Sequence, residues 1–325
     1  MKVAVIGGGI IGMYIASKLK EKNLNVFLYD RKQEKDLGSK PCSTLVSERI
    51  RQFINFSDDC LENTINSCKI NFPKKTIELL FNPKHLVLNR DKLIKEQLNL
   101  LRKTGVNLLL GKNIEETPND FDYIIGCDGP LSVIRKGLGL NISEMKIGMQ
   151  VFVKEKDNNN FTDTFPIQSG FLWKIPRGDC LEYGVLTKSV KAKEILFNFL
   201  NENNVKEKEF VSAPVPFSFP MVFSKNPRIT LCGDAMGLTK PWSGGGIIWS
   251  LYAADILINN FPNFKKYEKE TKKFFQFKMI KGIIANKLIN IIGFNFPHII
   301  PSKINYDNDF PNFTKSIIAL IRKKW

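Results

Sequence analysis

The chain has little with which to build a metal centre. Its 325 residues include two histidines and six cysteines, and Cys42, Cys60, Cys68, Cys127, Cys180 and Cys232 lack the close pairing that zinc ribbons and dithiol motifs need. No metal is expected, and free thiols in a reducing cytosol are. No uninterrupted apolar run is long enough to span a bilayer. The first residues look like a buried strand entering a glycine turn, which leaves no space for a cleavable targeting segment and points to a cytoplasmic protein. No repeat recurs at a fixed period. Acid is scarce as well: 32 Asp and Glu stand against 48 Lys and Arg, a net charge of +16. From Phe261 onward, 13 basic residues face 4 acidic ones. Nucleic acid and anionic membrane lipid both suit that asymmetry, as does a lysine-solvated surface in a chain rich in Lys, Asn and Ile. No nucleic-acid-binding motif accompanies the charge, so nucleic acid is not an expected partner.

What is present starts at the N-terminus. The stretch "KVAVIGGGIIGMYIASKLKEKNLNVFLYDR" is a short apolar run, a glycine turn, a segment with helical apolar spacing and a second apolar run ending in Asp30. That predicts strand, helix, strand. Gly7, Gly9 and Gly12 form G-x-G-x-x-G between the first strand and the helix, the context the motif requires. Gly7 permits the turn, Gly9 lets the backbone approach a pyrophosphate, and Gly12 lets helix and strand pack closely. The phosphates of a dinucleotide would face the free N–H groups of the helix start. Asp30, about 20 residues on, is placed to accept hydrogen bonds from a ribose. The motif does not separate NAD from FAD.

Further along, short strands are expected at 68–72, 76–81 and 85–88, separated by "PKK" and "NPK" turns. A helix with apolar Ile94, Leu98 and Leu101 follows, ended by Gly105. From Ile147 to about Val190 the pattern turns to alternating, aromatic-rich strands, an antiparallel sheet inserted between nucleotide-binding pieces. The chain then returns to strand, turn and helix in "RITLCGDAMGLTKPWSGGGIIWSLYAADILI". After Phe261 it is helical and basic. In "FFQFKMIKGIIANKLINIIGF" the apolar residues Phe277, Ile280, Ile284, Leu288 and Ile291 recur at helical spacing among Lys278, Lys281 and Lys287. Such a helix either lies on an anionic bilayer or packs over the rest of the protein with its lysines in water.

Several separated segments, "KPC" (Lys40, Pro41, Cys42), "NRDKL" with Arg90, "GCDGPLS" with Asp128 and Gly129, "FLWKIPRG" with Trp173 and Pro176, and "GDAMGLTKPWSGGGI", share order and rough spacing with one pattern. From Met1 to about Asn260 the chain resembles the geranylgeranyl reductase family of flavoproteins, a branch of the aromatic-hydroxylase-like FAD enzymes. The resemblance implies an α/β fold: a Rossmann-type FAD-binding domain (1–66, 88–145 and 226–262), an inserted antiparallel-sheet substrate domain (67–87 and 146–225) and a basic helical C-terminal region (263–325). It implies FAD as cofactor. Asp234 would accept from the ribityl hydroxyls, Pro241 would end a loop near the ring, and Gly244, Gly245 and Gly246 would open a helix facing the flavin pyrimidine. Arg90 would contact the adenosine half, Asp128–Gly129 the FAD side, and Cys42 would pass near the ring, positioning flavin or substrate. Trp173 and Pro176 would border the substrate. The family usually has Glu between the last two glycines, where this chain has Gly245.

The implied reaction is hydrogenation of C=C bonds in a prenyl chain by hydride from reduced flavin N5. The electron donor is left open between ferredoxin and NADPH, because no second nicotinamide-binding motif is visible. Phe152, Phe161, Phe165, Phe171, Phe217, Phe219 and Phe223 would line an apolar groove or fill the core of the inserted sheet. Two other readings stand beside the reductase. An FAD-dependent monooxygenase or halogenase is one, although "FLWKIPRG" lacks the first tryptophan of the halogenase W-x-W-x-I-P motif. A non-catalytic flavin- and prenyl-binding protein is the other. The expected partners are a prenyl lipid and, at the inner face of the membrane, its anionic surface.

Overall fold

The computed structural model describes residues 1–39, 41–206 and 209–311. Lys40 of "KPC" and residues 312–325 of the expected C-terminal region lie outside the described residues. In chain order the elements are β1 (Lys2–Ile6), α1 (Ile10–Glu21), β2 (Asn25–Asp30), β3 (Leu45–Ser47), β4 (Leu61–Phe72), β5 (Lys75–Leu88), α2 (Arg90–Thr104), β6 (Asn107–Leu110) and β7 (Tyr123–Gly126). Then follow α3 (Val133–Gly137), β8 (Glu144–Val153), β9 (Phe161–Ile167), β10 (Gly170–Pro176), β11 (Leu181–Thr187), α4 (Ala192–Glu202), β12 (Val211–Phe217), β13 (Ile229–Leu231), α5 (Ile247–Asn260), α6 (Phe264–Asn295) and β14 (Lys303–Tyr306).

Two sheets organise them. The first is parallel, in the order β13-β7-β1-β2-β6. Its strands are apolar on both faces, with Val3, Val5, Val26, Leu28 and Ile125 buried on one and Ala4, Ile6 and Ile124 on the other, as in a sheet covered on both sides. The second sheet runs β12-β8-β11-β10-β9-β4-β5-β14, with β3 on β5. It is mostly antiparallel, and α4 lays Leu196, Phe199 and Leu200 against one face. Phe165 packs on Phe199 with ring centroids 5.1 Å apart, so it serves this core. The architecture is thus the expected α/β one: a Rossmann-type sheet, an antiparallel sheet and a helical C-terminal part.

Local signals account for much of this. Asn89 Oδ1 accepts from Lys92 N at 3.0 Å and caps α2, while Gly105, at φ 80°, closes it. Elsewhere the outcome differs from expectation. β4 and β5 form one long hairpin, and "NPK" is no turn. Pairing jumps from Ile65↔His85 to Ser67↔Leu80, a bulge where Pro83 has no N–H to give the ladder. The polar segment after α6 contributes β14, parallel to β5, which no sequence pattern announced. Among the described residues, no helix is long and apolar enough to cross a membrane, and no group of three His, Cys, Asp or Glu is placed to hold a metal ion.

Candidate functional site

Both glycine turns lie at the C-terminal edge of the parallel sheet, one after β1 and one after β13, with β7 between them. That edge, where the strand order reverses, is where such sheets bind ligands. Gly7 has φ 112°, and a Cβ there would overlap Cys127 O. A Cβ on Gly12 would overlap Gly7 O. Gly9 differs: nothing lies within 4 Å of the position its Cβ would take, so space is open where α1 presents its first N–H groups. Asp30 ends β2, its Oδ2 accepting from Gly8 N at 2.7 Å and its Oδ1 from Lys32 N at 2.8 Å. Burial pushes the Lys32 ammonium below its ordinary value. Asp30 opposes that shift, and Arg31 and Arg90 favour it, which brings Arg90 into the same neighbourhood. Arg90 Nε is buried with no protein partner. An open depression of about 710 Å³, lined by Arg31, Lys32, Gln33, Lys35, Asp36 and Asn113, adjoins the turn.

At the other turn, Asp234 sits in a 3-10 turn between β13 and Gly237, which has φ 79°. A Cβ on Gly246 would stand 3.1 Å from Asp234 Oδ1, so this carboxylate lies beside the N-terminus of α5. The N-cap of α5 is Gly246, which has no side chain of its own to cap the helix. Lys240 N donates to Gly245 O at 3.0 Å and Gly244 N to Lys240 O at 2.8 Å, folding the glycines back on the loop. Pro241 is buried and packs beneath Gly282 of α6. Between the two turns, Asp128 accepts from Ser132 Oγ at 2.5 Å and from Val133 N at 2.6 Å, so both its oxygens serve the start of α3. Gly129, at φ 81°, again has open space where a Cβ would point.

Cys42 is half-buried, and its Sγ accepts from Thr44 N at 3.4 Å. Its loop is held by a network that sequence reasoning missed. Arg177 Nη1 donates to Ser43 O and to Glu182 Oε2, each at 2.7 Å. Arg177 Nε reaches Glu62 Oε2 at 2.7 Å, and Nη2 reaches Leu88 O at 3.0 Å. Glu182, fully buried, also accepts from Ser43 Oγ and from Trp173 Nε1 at 2.9 Å. Burial works against the Arg177 charge, but Glu182 and Glu62 more than offset it and hold the guanidinium above its ordinary value. The Trp173 ring lies across Gly184, where any Cβ would overlap it. Pro176, buried at the end of β10, gives its carbonyl to Asn63 Nδ2 at 3.0 Å. The structure therefore joins Trp173 to the Cys42 loop. An acid two residues before a glycine in β11 was the one available signal.

A second missed cluster adjoins Gly245. A Cβ there would stand 3.0 Å from Lys240 Cε and 3.4 Å from Nζ, so the lysine side chain fills the space beside this glycine. Lys240 Nζ pairs with Asp309 Oδ1 at 3.2 Å, and Asp309 is fully buried. Asp309 Oδ2 accepts from Ser47 Oγ and, at 3.1 Å, from Arg49 Nη1. Trp249 Nε1 donates to Asp309 O, and Trp242 Nε1 to Asn308 Oδ1, each at 2.8 Å. Burial alone would raise the Asp309 carboxyl, but Lys240, Ser47 and the nearby His85 hold it below its ordinary value. His85 stands 3.2 Å from Asn308 through Nε2, and burial, then Lys240, push it down to about 3.

No family model matches the chain. It is 24% identical over 333 residues to digeranylgeranylglycerophospholipid reductase 1 of Methanococcoides burtonii, covering 89% of this chain and 81% of that protein. It is 24% identical over 293 residues to reductase 3 of Methanosphaera stadtmanae, covering 75% and 73%. Among solved structures, a geranylgeranyl bacteriochlorophyll reductase-like protein of Thermoplasma acidophilum superposes with a TM-score of 0.81 at 20% identity, covering 100% of this chain and 96% of that one. A flavin-dependent halogenase superposes with a TM-score of 0.68 at 15% identity, covering 100% and 70%. The curated relatives are named as reductases, and the chain shares its fold with a reductase-like protein and a flavin-dependent enzyme. Among these the chain is geranylgeranyl reductase-like, as its motifs implied.

The residues fit an FAD. The space above Gly9, the unpartnered Arg90 Nε, the Asp30 carboxylate and the glycine-led start of α5 supply donors, acceptors and room at both ends of one sheet edge. Of the sequence-predicted residues, the structure gathers Gly7, Gly9, Gly12, Asp30, Arg90, Asp128, Gly129, Asp234, Pro241 and Gly244–Gly246 along that edge. Cys42, Trp173 and Pro176 form a separate group on the second sheet.

Proposed function

We propose that the chain is an FAD-dependent reductase that hydrogenates C=C bonds of a geranylgeranyl lipid. The observation that carries this reading is similarity to digeranylgeranylglycerophospholipid reductases over 89% of the chain. In this reading residues 1–66, 88–145 and 226–262 hold the cofactor, 67–87 and 146–225 face the substrate, and 263–325 form the C-terminal region.

Gly7, Gly9, Gly12, Asp30 and Arg90 hold the adenosine diphosphate half through N–H groups, the ribose acceptor and a guanidinium. Asp128 positions this region by fixing the start of α3 beside Gly129. Asp234 accepts from the ribityl hydroxyls. The N–H groups at the start of α5, after Gly246, and the dipole of that helix favour negative charge on the ring. Held there in its reduced form, the flavin would supply the hydride for one alkene carbon, and a proton would have to reach the other. Cys42 and Trp173, tied together through Glu182, fix the wall against which the alkene is oriented, with Pro176 ending that strand, and positioning is the main contribution a protein can make to such a reaction.

The test is to purify the protein, record its visible spectrum, reduce it with dithionite and offer a geranylgeranyl lipid for mass spectrometry. A gain of two hydrogens per double bond supports the reading, and a colourless protein refutes the flavin assignment. Likeness to a halogenase fold favours a second reading, an FAD-dependent monooxygenase of an apolar substrate. NAD(P)H-driven oxygen consumption without hydrogenated lipid would establish it. A yellow protein that binds the lipid and turns over neither way is a non-catalytic carrier. Ferredoxin and NADPH are the two donors to compare, by the rate at which each bleaches the flavin.

A further inference from the structure

The long helix α6 is apolar on two sides. Thr271, Phe275, Met279, Gly282 and Ala285 are buried. Phe277, Ile284, Leu288 and Ile291 are 71, 54, 44 and 48% exposed. The spacing i, i+7, i+11, i+14 places these four in one line at about 3.6 residues per turn, roughly opposite the buried face. The two candidate placements in the sequence are thereby separated: the stripe that looks like a packing face points away from the core. Phe296 and Ile299, just past the end of the helix, are exposed as well. Seven of the 15 exposed large hydrophobics among the described residues fall between Phe277 and Ile299, a patch rather than scatter.

Charge decides what covers this face. Between Glu270 and Asp307 the chain has no acid; of the lysines there, Lys272 pairs with Glu268, Lys303 with Glu78, and Lys278 donates to Phe274 O, which leaves Lys273, Lys281 and Lys287 for the outward side. A second copy seated on the stripe would bring lysines against lysines. An anionic lipid surface accepts the apolar line and neutralises the cations together.

The opposite side of the helix makes the placement consequential. A Cβ on Gly282 would stand 2.5 Å from Trp242 Cζ3 and 2.9 Å from Pro241 Cγ, so α6 rests directly on the loop that precedes α5. We propose that the outward face of α6, Phe277, Ile284, Leu288 and Ile291 with Lys281 and Lys287, seats on an anionic bilayer and holds the Pro241–Trp242 loop behind the helix, about 10 Å from the surface. The docking face stands on exposure and charge; its use, presenting a lipid to the site, rests on the reductase reading.

The test is co-sedimentation of the full chain with phosphatidylcholine vesicles, with and without phosphatidylglycerol. The protein pellets with the anionic vesicles and is released by salt. Ile284→Glu/Leu288→Glu, at exposed positions, lowers partitioning by about tenfold or more while melting temperature and flavin spectrum stay as in the parent. No binding to anionic vesicles overturns the proposal, as does a double variant that binds like the parent. A change from dimer to monomer in that variant, seen by light scattering, overturns it in favour of a copy interface. A chain ending at Pro311 still pellets, and its failure to do so would move the docking surface out of α6. Hydrogenation of detergent-dispersed lipid tests the reductase reading separately, since it needs no bilayer.

Discussion

Replacing Glu182 by Gln keeps the shape of the side chain and removes its charge. In the parent, Oε2 accepts from Arg177 Nη1 at 2.7 Å, and Oε1 takes Trp173 Nε1 at 2.9 Å together with Ser43 Oγ. Gln can keep its carbonyl oxygen toward Trp173, but its NH₂ then faces the guanidinium, donor against donor. Arg177, 6% exposed, is left with one carboxylate, Glu62, at 2.6 Å. Breaking a buried pair from one side costs about 3–5 kcal/mol. Because Glu62 and two carbonyls remain, about 3 kcal/mol is the expected loss. For a chain of this size that lowers the melting temperature by roughly 4–5 °C. The same substitution loosens Ser43, so alkylation of Cys42, followed by peptide mass spectrometry, accelerates while that of buried Cys232 does not. Arg177→Met added to Glu182→Gln recovers part of the loss, because the uncompensated cation is gone. A melting temperature within about 2 °C of the parent, together with unchanged Cys42 alkylation, refutes the argument that this network fixes the loop.

Gly12→Ala forces Cβ into Gly7 O, and the purified protein is expected to lose its yellow colour, with apoprotein seen by absorbance. Gly184→Val drives a side chain into the Trp173 ring, costing about 1–3 kcal/mol and shifting tryptophan emission. Lys240→Met leaves buried Asp309 with Arg49 as its remaining cationic partner, and urea denaturation should show a loss of about 2–4 kcal/mol. The His85 value is depressed to about 3 from about 6.5, so the unfolded state binds the extra proton between those limits. Stability is then full above the unfolded value and falls as pH drops, by up to about 1.4 kcal/mol per pH unit. Asp309, also depressed, adds loss only below about pH 4. His85→Leu should flatten the upper part of that curve, measured by urea melts across the range.

Much of the parallel-sheet edge with its first glycine turn is visible in the sequence because it is local. A strand, a glycine turn and a helix within about 30 residues specify Gly7, Gly9, Gly12 and Asp30 without help from the rest of the chain. Asn89 and Gly105 likewise bracket α2 by capping alone. The Asp309 cluster is hidden for the opposite reason. "KINYDNDF" is polar and has the composition of a loop, and its partners Ser47, His85 and Lys240 are brought to it only by the finished second sheet. A buried lysine cannot be told from a surface one until its counter-ion is placed. For α6 the periodicity was evident but not which face turns inward, since both are apolar and packing against Trp242 and Phe72 makes the choice. Asp128 shows the limit of a motif: the D-G pair stands at the expected edge, with its carboxylate committed to Ser132 and Val133.

The ion pair between Lys240 and Asp309 also bears on the order of synthesis. Its two members are 69 residues apart, and the parallel strand that delivers the acid is the last one in the second sheet. A ribosome that has made α5 but not residue 309 carries a nascent chain with an ammonium in a forming interior and no carboxylate to meet it. Both glycine turns and the whole parallel sheet are already translated by then. The loop beside Gly245 therefore settles later than the sheet beneath it, and assembly of the two halves of the site is staggered along the path of translation.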